Sequence, residues 1–157
     1  MLLRFTDGEP FATGAVPYVY RPVTDRESSP RVILDVRLGK IETSAFLDTG
    51  GVYLFCSPEL VPSLDLDPRD GIPTQPLQLG RGRYEGVLHR IRLTIIAEEG
   101  DDLSIEPTVF IPRLEPGQEW PDEFPCILGM QGCLERLRFA IDPNDDTFYF
   151  GDLAQAD

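Results

Sequence analysis

The sequence has almost no lysine: of 14 basic residues, only Lys40 is not an arginine. It has one histidine, His89, and one tryptophan, Trp120. Its three cysteines, Cys56, Cys126 and Cys133, show no Cys-x-x-Cys spacing. An odd set so spaced is a poor disulfide framework and, with a single histidine, a poor zinc site. The expectation is three small buried thiols in a reducing compartment, with no metal and no cofactor. No apolar run approaches the roughly 20 residues needed to span a bilayer. Residues 1–7 lack the basic and then apolar regions of a secretory signal. Together with the unpaired thiols, this makes the cytoplasm the expected location. Acidic residues outnumber basic ones 27 to 14, a net charge of −13. So acidic a surface repels phosphate backbones and anionic lipid, which argues against nucleic acid and membrane as partners.

What is present is fine punctuation. The 157 residues carry 15 prolines and 14 glycines, and long helical periodicity is missing. Short alternating runs separated by turn residues indicate an all-β fold. One domain over residues 1–157 is expected, with its core about 30–151. Residues 1–29 read as an irregular N-terminal extension with a possible strand at 16–21. Val32, Leu34, Val36 and Leu38 alternate with Arg31, Ile33, Asp35 and Arg37. After Gly39-Lys40 the alternation resumes with Ile41, Thr43, Ala45 and Leu47, which reads as a tight hairpin. Ser57-Pro58-Glu59 predicts one or two helical turns over 57–61. Leu77–Leu79 and 84–96 form a second hairpin tipped by Gly80-Arg81-Gly82-Arg83. Residues 112–125 read as a surface loop. Met130–Leu137 is the best helix candidate. Residues 139–142 and 147–151 flank Pro143-Asn144-Asp145-Asp146 as a last hairpin.

The feature that carries chemistry is Phe46-Leu47-Asp48-Thr49-Gly50-Gly51. An apolar strand ends in a carboxylate, a hydroxyl and two glycines. Glycine lets backbone N–H groups approach the Asp48 carboxylate, and the Thr49 hydroxyl can bond neighbouring backbone. The same residues also suit a plain strand-ending turn. A second element, Cys126-Ile127-Leu128-Gly129, precedes the helix candidate.

Asp48-Thr49-Gly50 after Ala45-Phe46-Leu47, with Ile127-Leu128-Gly129 before Met130–Leu137, resembles the retropepsin-like aspartic proteases, the single-lobe relatives of pepsin. The resemblance covers about residues 30–151. It implies a closed acid-protease-type β-barrel with one short helix near the C-terminus. It implies that Asp48 is catalytic, that Thr49, Gly50 and Gly51 shape its loop, and that Ile127, Leu128 and Gly129 pack beside it. The hairpin bearing Gly80, Arg81, Gly82, Arg83 and Tyr84 sits where the family places a substrate-covering flap. The chain holds one Asp-Thr-Gly, so an active enzyme needs a homodimer with an Asp48 from each copy. The implied partners are a second copy and an extended peptide. Gly51-Val52-Tyr53 departs from the family, which usually has Ala or Ser after the Gly. Two alternatives therefore stand beside the endopeptidase: a catalytically inactive peptide-binding or scaffold module of the same fold, and an unrelated β-barrel with Asp48 as a turn residue.

Other candidates read more plainly. His89 shares its phase with Val87 and Ile91 and is expected to be half-buried and satisfied. Asp101-Asp102 and Asp145-Asp146 lack calcium-loop spacing and read as solvated turns. Arg81, Arg83, Arg90 and Arg92 either solubilise the hairpin or favour an acidic substrate.

Overall fold

In a computed structural model, which describes residues 1–120 and 125–153, the chain forms fifteen strands among the described residues. They are β1 (Gly14–Pro17), β2 (Val19–Arg21), β3 (Arg31–Leu38), β4 (Ile41–Val52), β5 (Leu54–Cys56), β6 (Ile72–Pro73), β7 (Leu77–Leu79) and β8 (Gly82–Arg90). There follow β9 (Leu93–Ile95), β10 (Glu99–Gly100), β11 (Leu103–Ile105), β12 (Thr108–Arg113), β13 (Cys126–Gln131), β14 (Leu137–Asp142) and β15 (Thr147–Asp152). Three hairpins form at the expected places, but the second turns over two residues instead of four, and its outgoing arm ends at Arg90, with Leu93–Ile95 a separate strand. Leu38 pairs with Ile41 across Gly39-Lys40, Leu79 with Gly82, and Asp142 with Thr147.

The strands build two sheets. The smaller runs β10-β1-β15-β14, and the larger follows the path β11-β9-β3-β4-β13-β5-β12-β8-β6. The expected closed barrel is not what the pairing gives. The end strands β11 and β6 do not pair, and the path stays open. Both ends are short, three residues and two, and the smaller sheet holds the segments near the termini separately.

The expected helix at Met130–Leu137 is also corrected. β13 continues through Gln131, and only Leu134–Arg136 turns, as a 3₁₀ helix. Gly132 at φ 77° interrupts the run in the left-handed region, where other residues are strained. Leu137 is already extended and enters β14. The turn expected over 57–61 forms, with Leu60 N–H donating to the Ser57 carbonyl at 3.0 Å, and it runs on into a 3₁₀ helix over Val61–Leu64 that stops at Asp65, φ 54°. The loop expected at 112–125 begins after Arg113, where β12 ends, and residues 121–124 lie outside the described residues.

The N-terminal residues belong to the fold. β1 pairs with β10 on one side and β15 on the other. A Cβ added at Gly14 would stand 2.4 Å from the Asp101 carbonyl oxygen and 2.4 Å from the Phe150 ring. Ala12, Ala15 and Tyr18 are buried with the core. Burial, with Asp146 adding to it, raises the Tyr18 pKa above its ordinary value.

The core has two parts. Leu34, Val36, Leu38, Val87, Leu93, Ile95, Phe148 and Phe150 belong to the larger. Ile33, Phe46, Phe55, Tyr84, Phe110 and Ile127 form a second cluster on the other face. Period-2 alternation puts Ile33 and Phe46 on the side opposite Leu34 and Ala45. That side is covered too, and Phe46 and Ile127 of this second cluster line the candidate site.

Candidate active site

β13 sits between β4 and β5, parallel to the first and antiparallel to the second. Ile127 lies opposite Phe46, Leu128 opposite Leu47, and Gly129 opposite Asp48. Beyond this point the register slips, and the next pair is Gln131 with Val52. Thr49, Gly50 and Gly51 are thus looped out of the ladder. The sequence suggested a turn ending the strand; instead β4 carries a wide bulge with Asp48 at its entrance.

The bulge returns over Gly129. Gly129 N–H donates to the Tyr53 carbonyl at 2.8 Å, and Tyr53 N–H donates to the Gln131 carbonyl at 2.6 Å. A Cβ at Gly129 would come within 2.5 Å of the Tyr53 oxygen and 2.6 Å of the Val52 carbonyl carbon. Only glycine allows that approach. Tyr53 itself is left-handed, φ 59°, a conformation that costs a bulky residue on the order of 1–3 kcal/mol. The two hydrogen bonds to β13 hold it there.

Within the bulge, Gly50 N–H donates to Asp48 Oδ1 at 3.2 Å. A Cβ at Gly51 would lie 3.1 Å from Asp48 Oδ2, so Gly51 leaves one side of the carboxylate clear. Thr49 and Gly50 are exposed. The Thr49 hydroxyl makes no hydrogen bond among the described residues. The tip therefore projects outward, with Asp48 half-buried behind it.

Asp48 opens onto a cavity of about 480 Å³. Phe46 and Ile127 line it together with Leu79 and Gly80 at the tip of the β7–β8 hairpin. Thr24, Asp25, Arg26, Glu27 and Arg31, from the β2–β3 connection and the start of β3, complete the lining. The structure thus brings together Asp48, Ile127, Gly80 and, through the ladder, Gly129. Arg81 and Arg83 are exposed and are not among the lining residues. Tyr84 is 3% exposed, and its hydroxyl donates to the Glu119 carbonyl at 2.9 Å. Its ring meets Trp120 at 5.0 Å, and burial raises its pKa. Tyr84 anchors the root of the hairpin, while Leu79 and Gly80 reach the cavity.

The family resemblance now has a structural counterpart. The chain is similar to the crystal structure of a retropepsin-like aspartic protease from Rickettsia conorii, with a TM-score of 0.54 and 18% sequence identity. The match covers 89% of this chain and 94% of that one. The two share a fold. No protein-family model matches the sequence, and no curated protein matches it.

Two expectations about other residues hold. His89 is half-buried, and its Nε2 lies 2.9 Å from the Asp67 carbonyl oxygen. All three cysteines are free and buried. Burial pushes the Cys133 thiol up to about 12. The neighbouring Cys56 thiol, followed by burial, raises that of Cys126.

Sequence reasoning missed Glu27 and Arg31, which sat in a polar stretch read as loop and at a strand start. It also missed Tyr53. Their signal is tertiary: nothing local marks a loop residue as cavity wall, or a tyrosine as left-handed.

Proposed function

We propose that the protein is an aspartic endopeptidase that works as a homodimer, each copy supplying one Asp48. The observation that carries this reading is the placement of Asp48. It stands at the entrance of a bulge pinned across Gly129 and opens onto a cavity reached by the tip of the hairpin. The fold shared with a retropepsin-like aspartic protease supports it.

Two carboxyl groups brought close at a two-fold axis cannot both ionise readily, so the pair shares one proton. The ionised member takes a proton from water as it attacks the peptide carbonyl. The protonated member donates to the carbonyl oxygen. Gly50 N–H, already on Asp48 Oδ1, holds the carboxylate in place. The substrate lies extended beneath the hairpin and bonds through its main chain, as an added strand does. With the smaller sheet, the whole chain acts as one domain.

A second reading, a peptide-binding module of the same fold without turnover, is favoured by Gly51, which brings no hydroxyl to the loop. Cleavage of a peptide library from acidic to neutral pH, wild type beside Asp48→Asn, separates the two. Cleavage by the wild type alone supports the endopeptidase. A dimer that binds peptides and cleaves none supports the module.

A further inference from the structure

Strands at the edges of the two sheets are short, with one exception. β2, β7 and β11 have three residues each, and β6 and β10 have two. A short edge presents few unpaired backbone groups, which is one way proteins avoid pairing with other chains. β14 has six residues, ends the order β10-β1-β15-β14, and pairs with β15 along its whole length without a bulge. Its outer edge has no strand partner among the described residues. It holds no proline, lysine or glycine to blunt that edge. Alternation puts Leu137, Phe139 and Ile141 on one face and Arg138, Ala140 and Asp142 on the other. Leu137 is buried and Phe139 stacks on Phe148 at 5.8 Å, but Ile141 is 39% exposed. On the opposite face the Arg138 guanidinium stands 5.3 Å from the centre of the Phe5 ring, itself 44% exposed. Exposed apolar side chains therefore lie beside both faces of an open edge.

The order of residues along β14 selects the occupant. When a strand pairs antiparallel with its own copy across a two-fold axis, each residue faces the one equally far beyond the axis. With the axis at Ala140, Arg138 lies opposite the partner's Asp142, and Asp142 opposite the partner's Arg138. Phe139 lies opposite the partner's Ile141. Opposite charges, and an aromatic against a β-branched side chain, are both favourable cross-strand pairs. The charges that would repel other chains thus match this one. Moving the axis to Phe139 or Ile141 sets a charge against the partner's Ala140 instead.

We propose that the outer edge of β14 is the surface on which a second copy of this chain docks, strand against strand about Ala140. The two smaller sheets join into one, with β14 of each copy at its centre. The endopeptidase reading needs a second copy and names no surface for it; this assignment rests on that reading and supplies the surface. One edge of six residues is a small interface, so the dimer is reversible, with a Kd on the order of micromolar.

The test is sedimentation equilibrium of the full chain, with peptide-library cleavage measured beside it. Salt at about 0.15 M screens the repulsion between two chains of net charge −13. Ile141→Lys, at an exposed position, should raise the Kd about tenfold or more. Arg138→Glu sets carboxylates opposite each other at both ends of the pairing and should do the same, while Arg138→Glu/Asp142→Arg should return the Kd to within about threefold of wild type. Ala140→Cys reads the register. Residues directly opposite on antiparallel strands have Cα atoms about 4.5–5.5 Å apart, within disulfide reach. Under oxidised glutathione this variant should cross-link into a covalent dimer, and Arg138→Cys, which faces the partner's Asp142, should not. The native cysteines are buried and stay out of the reaction. Circular dichroism confirms that each variant folds. Asp142 also accepts from Asn144 N–H at 2.9 Å, so Ile141→Lys and Ala140→Cys carry the test should the reversed pair fail to fold. A wild type that stays monomeric overturns the interface. So does a dimer indifferent to Ile141→Lys and Arg138→Glu that gives no cross-link at Ala140→Cys; if that dimer cleaves peptides, the endopeptidase stands. A dimer broken by these variants that cleaves nothing keeps the interface and overturns the endopeptidase. Cleavage that falls together with the dimer in Ile141→Lys supports both.

Discussion

Gly129 lies opposite Asp48 in the parallel ladder of β4 and β13, and the backbone of Val52 and Tyr53 crosses directly over it. The position of Asp48 is thus set by a residue 81 positions later in the chain (129 − 48) that has no side chain. Gly129→Ala would force a methyl group against backbone atoms 2.5 and 2.6 Å away. Backbone cannot move aside as a flexible side chain does, so the strap over 52–53 must lift. The expected cost is about 2–4 kcal/mol in urea unfolding, with loss of any cleavage activity. A fully stable and active alanine variant would contradict this account of the loop.

Asp48→Asn keeps an oxygen to accept from Gly50 N–H and removes the base. The side chain is half-buried and the substitution nearly isosteric, so thermal unfolding should move by less than about 2 °C. Peptide cleavage should fall by at least about a thousandfold, as loss of a general base does. Equal cleavage by both proteins would leave Asp48 without a catalytic role.

Removing residues 1–17 should unfold the protein. β1 covers the edge of β15, and Phe148 and Phe150 are both 0% exposed in the intact chain. Deletion would uncover them and cancel two strand pairings. The loss is on the order of 5 kcal/mol or more, comparable to the whole stability of a small domain. Gly14→Val is a milder probe, since its Cβ would meet the Asp101 carbonyl and the Phe150 ring. A truncated chain with an unchanged melting curve would show the N-terminal segment to be a removable extension.

Alkaline pH should destabilise the fold. Burial holds the Cys133 thiol protonated up to about 12, against 9.0 for a free thiol. Between these values the folded chain binds the proton more tightly than the unfolded one, so stability is complete below about pH 9 and falls as pH rises towards 12. The slope is at most about 1.4 kcal/mol per pH unit for this thiol. Cys126 shifts in the same direction. Urea unfolding at pH 7, 9 and 11 should show the decline, and Cys133→Ala should flatten part of it. An identical slope in that variant would assign the decline to other groups.

Much of this molecule is legible in its sequence, for a local reason. The alternation over 31–38 and 41–47, the Gly39-Lys40 turn, a turn opening at Gly80 and the Pro143–Asp146 turn each express a two-residue period or a single backbone conformation. Such signals need no distant partner. The Asp-Thr-Gly run and Ile127-Leu128-Gly129 marked the two elements that meet at the candidate site. The helix expected at 130–137 failed because hydrophobic spacing there suited either a helix or a strand followed by a turn. Gly132 decided between them.

Only the tertiary structure decided the rest. It inserted β13 between β4 and β5, made the N-terminal residues a strand within a sheet, left the strand path open, and turned a polar loop at 24–27 into the wall of a cavity. Each of these depends on which distant segments share hydrogen bonds and which faces they bury together. A strand's sequence states that it has an apolar face and unpaired backbone groups. It does not state which neighbour satisfies them, because that choice minimises the unpaired groups and exposed apolar area of the whole chain at once.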